Sequence, residues 1–180
     1  MQRITLTFLV LFLFIKSTCY SQGIEDNSLL KSELKFHSAS FSPLDFHIDN
    51  HTEGLSVKLD ISLNKERNIF KFQGVFSYVF DVISQGGSSY PENSYELNIL
   101  YGREIPFNNW LYYDVFGGLG YLHISNFNNI NKNKSTVGFP IQNRLRFQTK
   151  GKFGAGLQFQ VNINSLRTNY SPGFFLQWTF

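Results

Sequence analysis

From Lys152 to Asn164 the chain alternates without a break. Phe153, Ala155, Leu157, Phe159, Val161 and Ile163 fall on one side, and Lys152, Gly154, Gly156, Gln158, Gln160, Asn162 and Asn164 on the other. A strand turns successive side chains to opposite faces, so this stretch predicts a strand with one apolar face. Ordinary strands run about 5–6 residues, whereas a tilted strand that crosses a bilayer needs roughly 9–11. A run this long makes the choice of interior face the central question.

The same two-residue period recurs along the chain. Leu55, Val57, Leu59, Ile61 and Leu63 alternate with Ser56, Lys58, Asp60 and Ser62; Phe70, Phe72, Phe76, Tyr78 and Phe80 oppose Lys71, Gln73 and Ser77. Tyr95, Leu97, Ile99 and Tyr101 oppose Glu96, Asn98 and Glu104, and Leu111 to Tyr121 opposes Asp114, Gly118 and Gly120. Ile141, Leu145 and Phe147 oppose Gln142, Arg144, Arg146 and Gln148, and the chain closes on Phe174, Leu176, Trp178 and Phe180. With a weaker segment at 30–41, the predicted strands are 30–41, 55–63, 69–80, 94–104, 110–123, 139–149, 152–164 and 174–180. Short turns fall at 64–68, 105–109 and 150–151. Long loops are expected at 42–54, 81–93, 124–138 and 165–173, where Pro, Gly, Asn and Ser concentrate. Long and short connections therefore alternate, as they do in an up-and-down antiparallel barrel. Aromatic residues make up 17% of the chain, which suits pleated strands better than helices.

The N-terminus points to export. Arg3 precedes an apolar run from Ile4 to Ile15, followed by the small, polar stretch Lys16 to Ser21. This reads as a signal peptide over residues 1–21, with cleavage near Ser21 and a polar periplasmic arm over 22–29. Cys19 is the single cysteine, so the remaining chain is expected to have neither disulfides nor thiolate chemistry. Removing Arg3 and Lys16 leaves a near-neutral protein, which gives no ground for a nucleic-acid partner.

Two closed barrels fit eight such strands. A soluble periplasmic ligand-binding barrel would put the aromatic faces inside; a membrane barrel would put them against lipid. An eight-stranded lumen is only wide enough to be filled by side chains, so Gly and mixed polar residues suit it better than a wall of Phe. Lys58, Asp60, Lys71, Glu96, Asp114, Arg144 and Arg146 carry both signs on neighbouring strands and can pair inside as a lumen charge network. Outward rings toward the short turns (Phe70, Tyr101, Phe147, Phe153, Trp178 and Phe180) and toward the long loops (Tyr78, Phe80, Tyr95, Tyr121 and Phe174) suit two interfacial bands.

On this pattern and the C-terminal Phe174-Phe-Leu-Gln-Trp-Thr-Phe180, residues 30–180 resemble the small eight-stranded outer-membrane barrels of Gram-negative bacteria, the OmpA/OmpX-like group. The resemblance implies an all-β, eight-stranded antiparallel up-and-down transmembrane barrel with a polar closed lumen. It also implies four external loops, three periplasmic turns and both termini in the periplasm. The last strand, with Phe174, Leu176, Trp178 and Phe180, would then be the signal read by the barrel-assembly machinery, and outer-membrane lipids with lipopolysaccharide the surroundings. A monomer without a wide pore, with a structural or surface-interaction role, is the expectation.

A second, shorter likeness lies in His123-Ile-Ser125-Asn126, which resembles the His-x-Ser-Asn stretch of outer-membrane lipid A deacylases. It implies an acyl-ester hydrolase with Ser125 as nucleophile and His123 as base on the outer wall. Such a pair needs a group to orient the imidazole. Glu92, Asn162 and Asn164 are the available partners, since Asp114 is the last acidic residue in the chain. The plain reading is a His and a Ser at the start of a loop. His47 and His51 stand four apart near Asp45 and Asp49, but within a predicted loop, and no metal site is expected. Nor does any phosphate-binding or cofactor motif occur, so no cofactor is expected.

Overall fold

The computed structural model describes residues 34–49, 53–80, 92–126 and 133–180. The signal peptide and the arm expected before residue 30 lie outside the described residues, as do residues 30–33 of the first predicted strand. The eight strands are β1 (Lys35–Ile48), β2 (Glu53–Lys65), β3 (Asn68–Phe80), β4 (Glu92–Pro106), β5 (Leu111–Asn126), β6 (Lys134–Gln148), β7 (Phe153–Asn164) and β8 (Thr168–Thr179). Each pairs antiparallel with its sequence neighbour, and β1 pairs with β8 to close the barrel. A closed barrel has no sheet edge left to pair with another chain.

β1 is seven residues longer at its outer end than the predicted strand, which stops at Phe41. Two register shifts explain why its alternation fades. Phe36 pairs with Leu63 and Ser38 with Ser62; Ser42 pairs with Lys58 and Asp45 with Ser56. Each shift spends one extra residue on β1, which is the definition of a bulge, and each flips the parity of the residues beyond it. Pro43 sits in the second bulge, where its missing N–H costs no ladder bond.

The expectation of four long external loops is not met. Only residues 49–52 separate β1 from β2, and only 165–167 separate β7 from β8. The longer connections at this end are 81–91 and 127–133. β6 and β8 begin at Lys134 and Thr168, well before the predicted 139 and 174. Their outer ends carry Ser135, Thr136, Asn169, Ser171 and Pro172, and polar residues on both faces hide the two-residue period. Phe174, expected near a loop, consequently sits mid-strand opposite Leu157.

The faces are inverted relative to a water-soluble protein. Leu97 is 68% exposed, whereas Arg144 is 1% exposed. Outward positions are apolar on every strand, with Leu59, Phe72, Ile99, Leu119, Ile141, Leu157 and Leu176 among them. Burying charge while exposing a continuous hydrocarbon wall is stable only if the wall meets hydrocarbon. Strands of 12 to 16 residues exceed the length a tilted strand needs to cross a bilayer. The barrel is therefore a transmembrane one.

The inside is not wholly polar. Ile69, Leu100 and Phe116 form an apolar cluster, and Phe175 is fully buried. The Lys71 ammonium lies 3.5 Å from the centre of the Phe116 ring, and the Arg144 guanidinium 4.4 Å from that of Phe175. These inward rings give the buried cations a π face.

Candidate functional site

The lumen is built from side chains that reach across the barrel. At the turn end, Arg146 on β6 is ion-paired with Glu104 on β4 and stands 3.7 Å from Asp114 on β5. Its guanidinium covers the Tyr112 ring at 4.8 Å, and His37 lies 3.8 Å from Glu104. A cavity of about 260 Å³ opens there between His37, Asn64, Arg67 and Glu104.

At mid-height Asp60 on β2 is the hub. Its carboxylate takes the Arg144 guanidinium, accepts from Ser40 Oγ at 2.6 Å and accepts from Gln73 Nε2 at 2.9 Å. Arg144 also donates to Ser40 at 3.0 Å, so β6 is tied to β1 and β2 through the interior. Lys71 Nζ donates to Gln142 at 2.9 Å, joining β3 to β6 in the same layer.

Above this, Glu96 on β4 accepts from Asn162 on β7 at 2.9 Å. Lys58 is paired with Asp45 at 2.8 Å, and Gln158 donates to both Asp45 (2.6 Å) and Ser42 (2.7 Å). Asp45 also packs against Gly173, where any Cβ would overlap the carboxylate. At the outer mouth Arg167 bridges Asp49 at 3.1 Å and Glu92 at 3.6 Å. The void between His47, Lys58, Ser77 and Glu96 is about 10 Å³, room for about one water at most.

The seven lumen charges expected from parity are all buried and facing inward: Lys58, Asp60, Lys71, Glu96, Asp114, Arg144 and Arg146. Parity in the sequence misses Asp45, because the bulge at Pro43 places it in an apparent loop. It likewise misses Ser40 and Ser42, which lie in the stretch where the first strand's alternation fades, whereas Gln142 and Gln158 fall on the lumen-side faces that parity marks.

His123 and Ser125 are both on the outer wall, as parity requires, yet each is engaged elsewhere. Ser125 Oγ donates to the Asn93 carbonyl at 3.4 Å. His123 Nδ1 is 2.8 Å from Ser135 Oγ on β6, which also accepts from Tyr121 Oη at 3.0 Å. The three candidate orienting groups are occupied too. Glu92 pairs with Arg167, Asn162 with Glu96, and Asn164 accepts from the N–H groups of Leu166 and Arg167. Ser135 falls in a stretch that reads as loop, and only the β5–β6 register reveals its position. Of the remaining metal candidates, Asp45 is held by Lys58, His47 Nε2 stands 4.0 Å from Asp49, and His51 lies outside the described residues.

No protein-family model matches the chain, and no curated protein matches its sequence. Solved structures do match. Neisserial surface protein A shares the barrel at TM-score 0.66 with 8% identity, over 81% of this chain and 97% of that one. The N-terminal β-barrel domain of Pseudomonas aeruginosa OprF matches at TM-score 0.55 with 13% identity, over 82% and 100%. The fold is that of the small eight-stranded outer-membrane barrels. Ail, the attachment invasion locus protein of Yersinia pestis, matches at TM-score 0.54 with 9% identity, over 82% and 99%. Identities this low carry the shared architecture and nothing about a shared ligand or reaction.

Proposed function

We propose that this protein is a non-enzymatic outer-membrane barrel of a Gram-negative envelope, closed to solutes, with a structural or surface-contact role. The observation that carries this reading is the crossed lumen: Arg144 joined to Asp60 and Ser40 through the middle of the barrel. A barrel so filled has no aqueous path wide enough for solutes. The ring pairs Phe70–Tyr101, Trp110–Phe147 and Phe153–Trp178 lie toward the turn end, and Phe76–Tyr95 and Phe159–Tyr170 toward the other. Such pairs suit the two headgroup levels of a bilayer. Lipopolysaccharide would surround the outer half. The outward Phe174, Leu176, Trp178 and Phe180 would present the final strand to the assembly machinery.

The protein is expected to co-fractionate with outer membranes and, purified into planar bilayers, to give no porin-sized conductance steps. Removing Phe180 should lower the folded, heat-modifiable fraction in that membrane. Recovery in the soluble periplasm, or steady open channels of porin size, would overturn the proposal.

A further inference from the structure

The outer wall does not stay apolar to the same height all round. Where β1, β2, β7 and β8 approach their outer ends, Ile48, Leu55, Ile163 and Tyr170 face outward, with Glu53 opposite Ile48 and Thr168 opposite Ile163. On β4 to β6 the register instead aligns Tyr95 with His123 and His123 with Ser135, and then Asn93 with Ser125 one rung further out. Polar groups on the outside of a barrel are costly against acyl chains, so these side chains need a hydrogen-bonding neighbour that the lipid tails do not supply.

The hydrogen bonds within the cluster determine what it can offer. Tyr121 Oη donates to Ser135 Oγ, which also shares a hydrogen bond with His123 Nδ1. With Nδ1 engaged by the serine, Nε2 is the ring nitrogen left for a ligand. Half-buried Asn93 and Ser125 and exposed Ser135 add an amide nitrogen and two hydroxyls, and the Tyr95 ring, 48% exposed, adds a flat apolar face. Among the described residues neither a carboxylate nor an ammonium stands on these rungs; Lys134 pairs with the inward Ile124 and so takes the lumen-side parity. Among them a phosphate would find no cation on these rungs. A neutral, hydroxyl-rich ring would find donors, acceptors and an aromatic face.

We propose that the β4–β6 sector of the outer wall, through Tyr95, Tyr121, His123, Ser125, Ser135 and Asn93, binds the sugar headgroup of a membrane glycolipid. This rests on the membrane reading above. The test is accordingly made on barrel already shown to be folded by heat-modifiable gel migration. Native mass spectrometry of that barrel in detergent would compare a diglucosyl diacylglycerol with a phosphatidylethanolamine of the same acyl chains. The glycolipid adduct should survive at roughly tenfold lower lipid concentration than the phosphatidylethanolamine adduct. Tyr95→Ala and Ser135→Ala should each remove about that tenfold preference, the effect of one lost ring face or hydrogen-bonding side chain. Both residues face outward, and their folding is checked by the same gel shift. Equal retention of the two lipids, or variants that keep the preference, would overturn the proposal. So would loss of acyl mass from bound glycolipid, which would make His123 and a serine hydrolytic rather than receptive.

Discussion

Asp60→Leu is expected to destabilise the folded barrel by about 3–5 kcal/mol, the cost of leaving a buried cation without its counter-ion. Asp60 is 4% exposed and is the acceptor for Arg144, Ser40 and Gln73. Without it Arg144 keeps Ser40 and the Phe175 face, neither of which carries charge. Removing both charges together, as Asp60→Leu with Arg144→Met, should recover most of the loss, because a desolvated ion pair is itself close to break-even against well-packed apolar groups. Equilibrium urea unfolding in lipid vesicles measures both. A single substitution as stable as the parent would mean that water enters the lumen and screens Arg144.

The second large effect belongs to the other face. Ile99 is 61% exposed midway along β4, with Phe72 and Leu119 on its flanks. On a protein surrounded by water, Ile99→Arg at so exposed a site would change stability by no more than about 0.5 kcal/mol. On a lipid-facing wall at mid-height the same change should cost about 2–4 kcal/mol, falling to about 0–1 near an interface. Ser165→Arg, in the connection between β7 and β8, supplies the second value. The contrast between the two positions in one unfolding assay reports depth in the bilayer.

Most of the barrel is legible in the sequence because parity needs no partner. Leu55 to Leu63 and Phe153 to Ile163 declare their faces by themselves, and the charges opposite them are inward for the same reason. The first strand misleads because each bulge adds a residue, and an added residue turns the alternation over; Asp45 looks like part of a loop and is a fully buried anion. The outer ends of β6 and β8 mislead because a strand with polar residues on both faces has no period to detect. Which charges meet is a different kind of information. Arg144 and Asp60 are 84 residues apart, and Gln158 and Ser42 are 116 apart, so their contacts exist only once the barrel is closed. The same holds for His123. Its spacing to Ser125 is visible in the sequence, but its hydrogen bond to Ser135 depends on the register of β5 against β6.

The two tryptophans test the central claim most directly. Trp110 and Trp178 are the only two in the chain, and both are about half exposed on the outside near the turn end. In vesicles containing lipids brominated at defined depths, their fluorescence should be quenched, and more strongly by bromines near the headgroups than by bromines near the bilayer centre. Fluorescence unaffected by brominated lipid, in protein that is folded, would place that aromatic face away from the membrane and contradict the account.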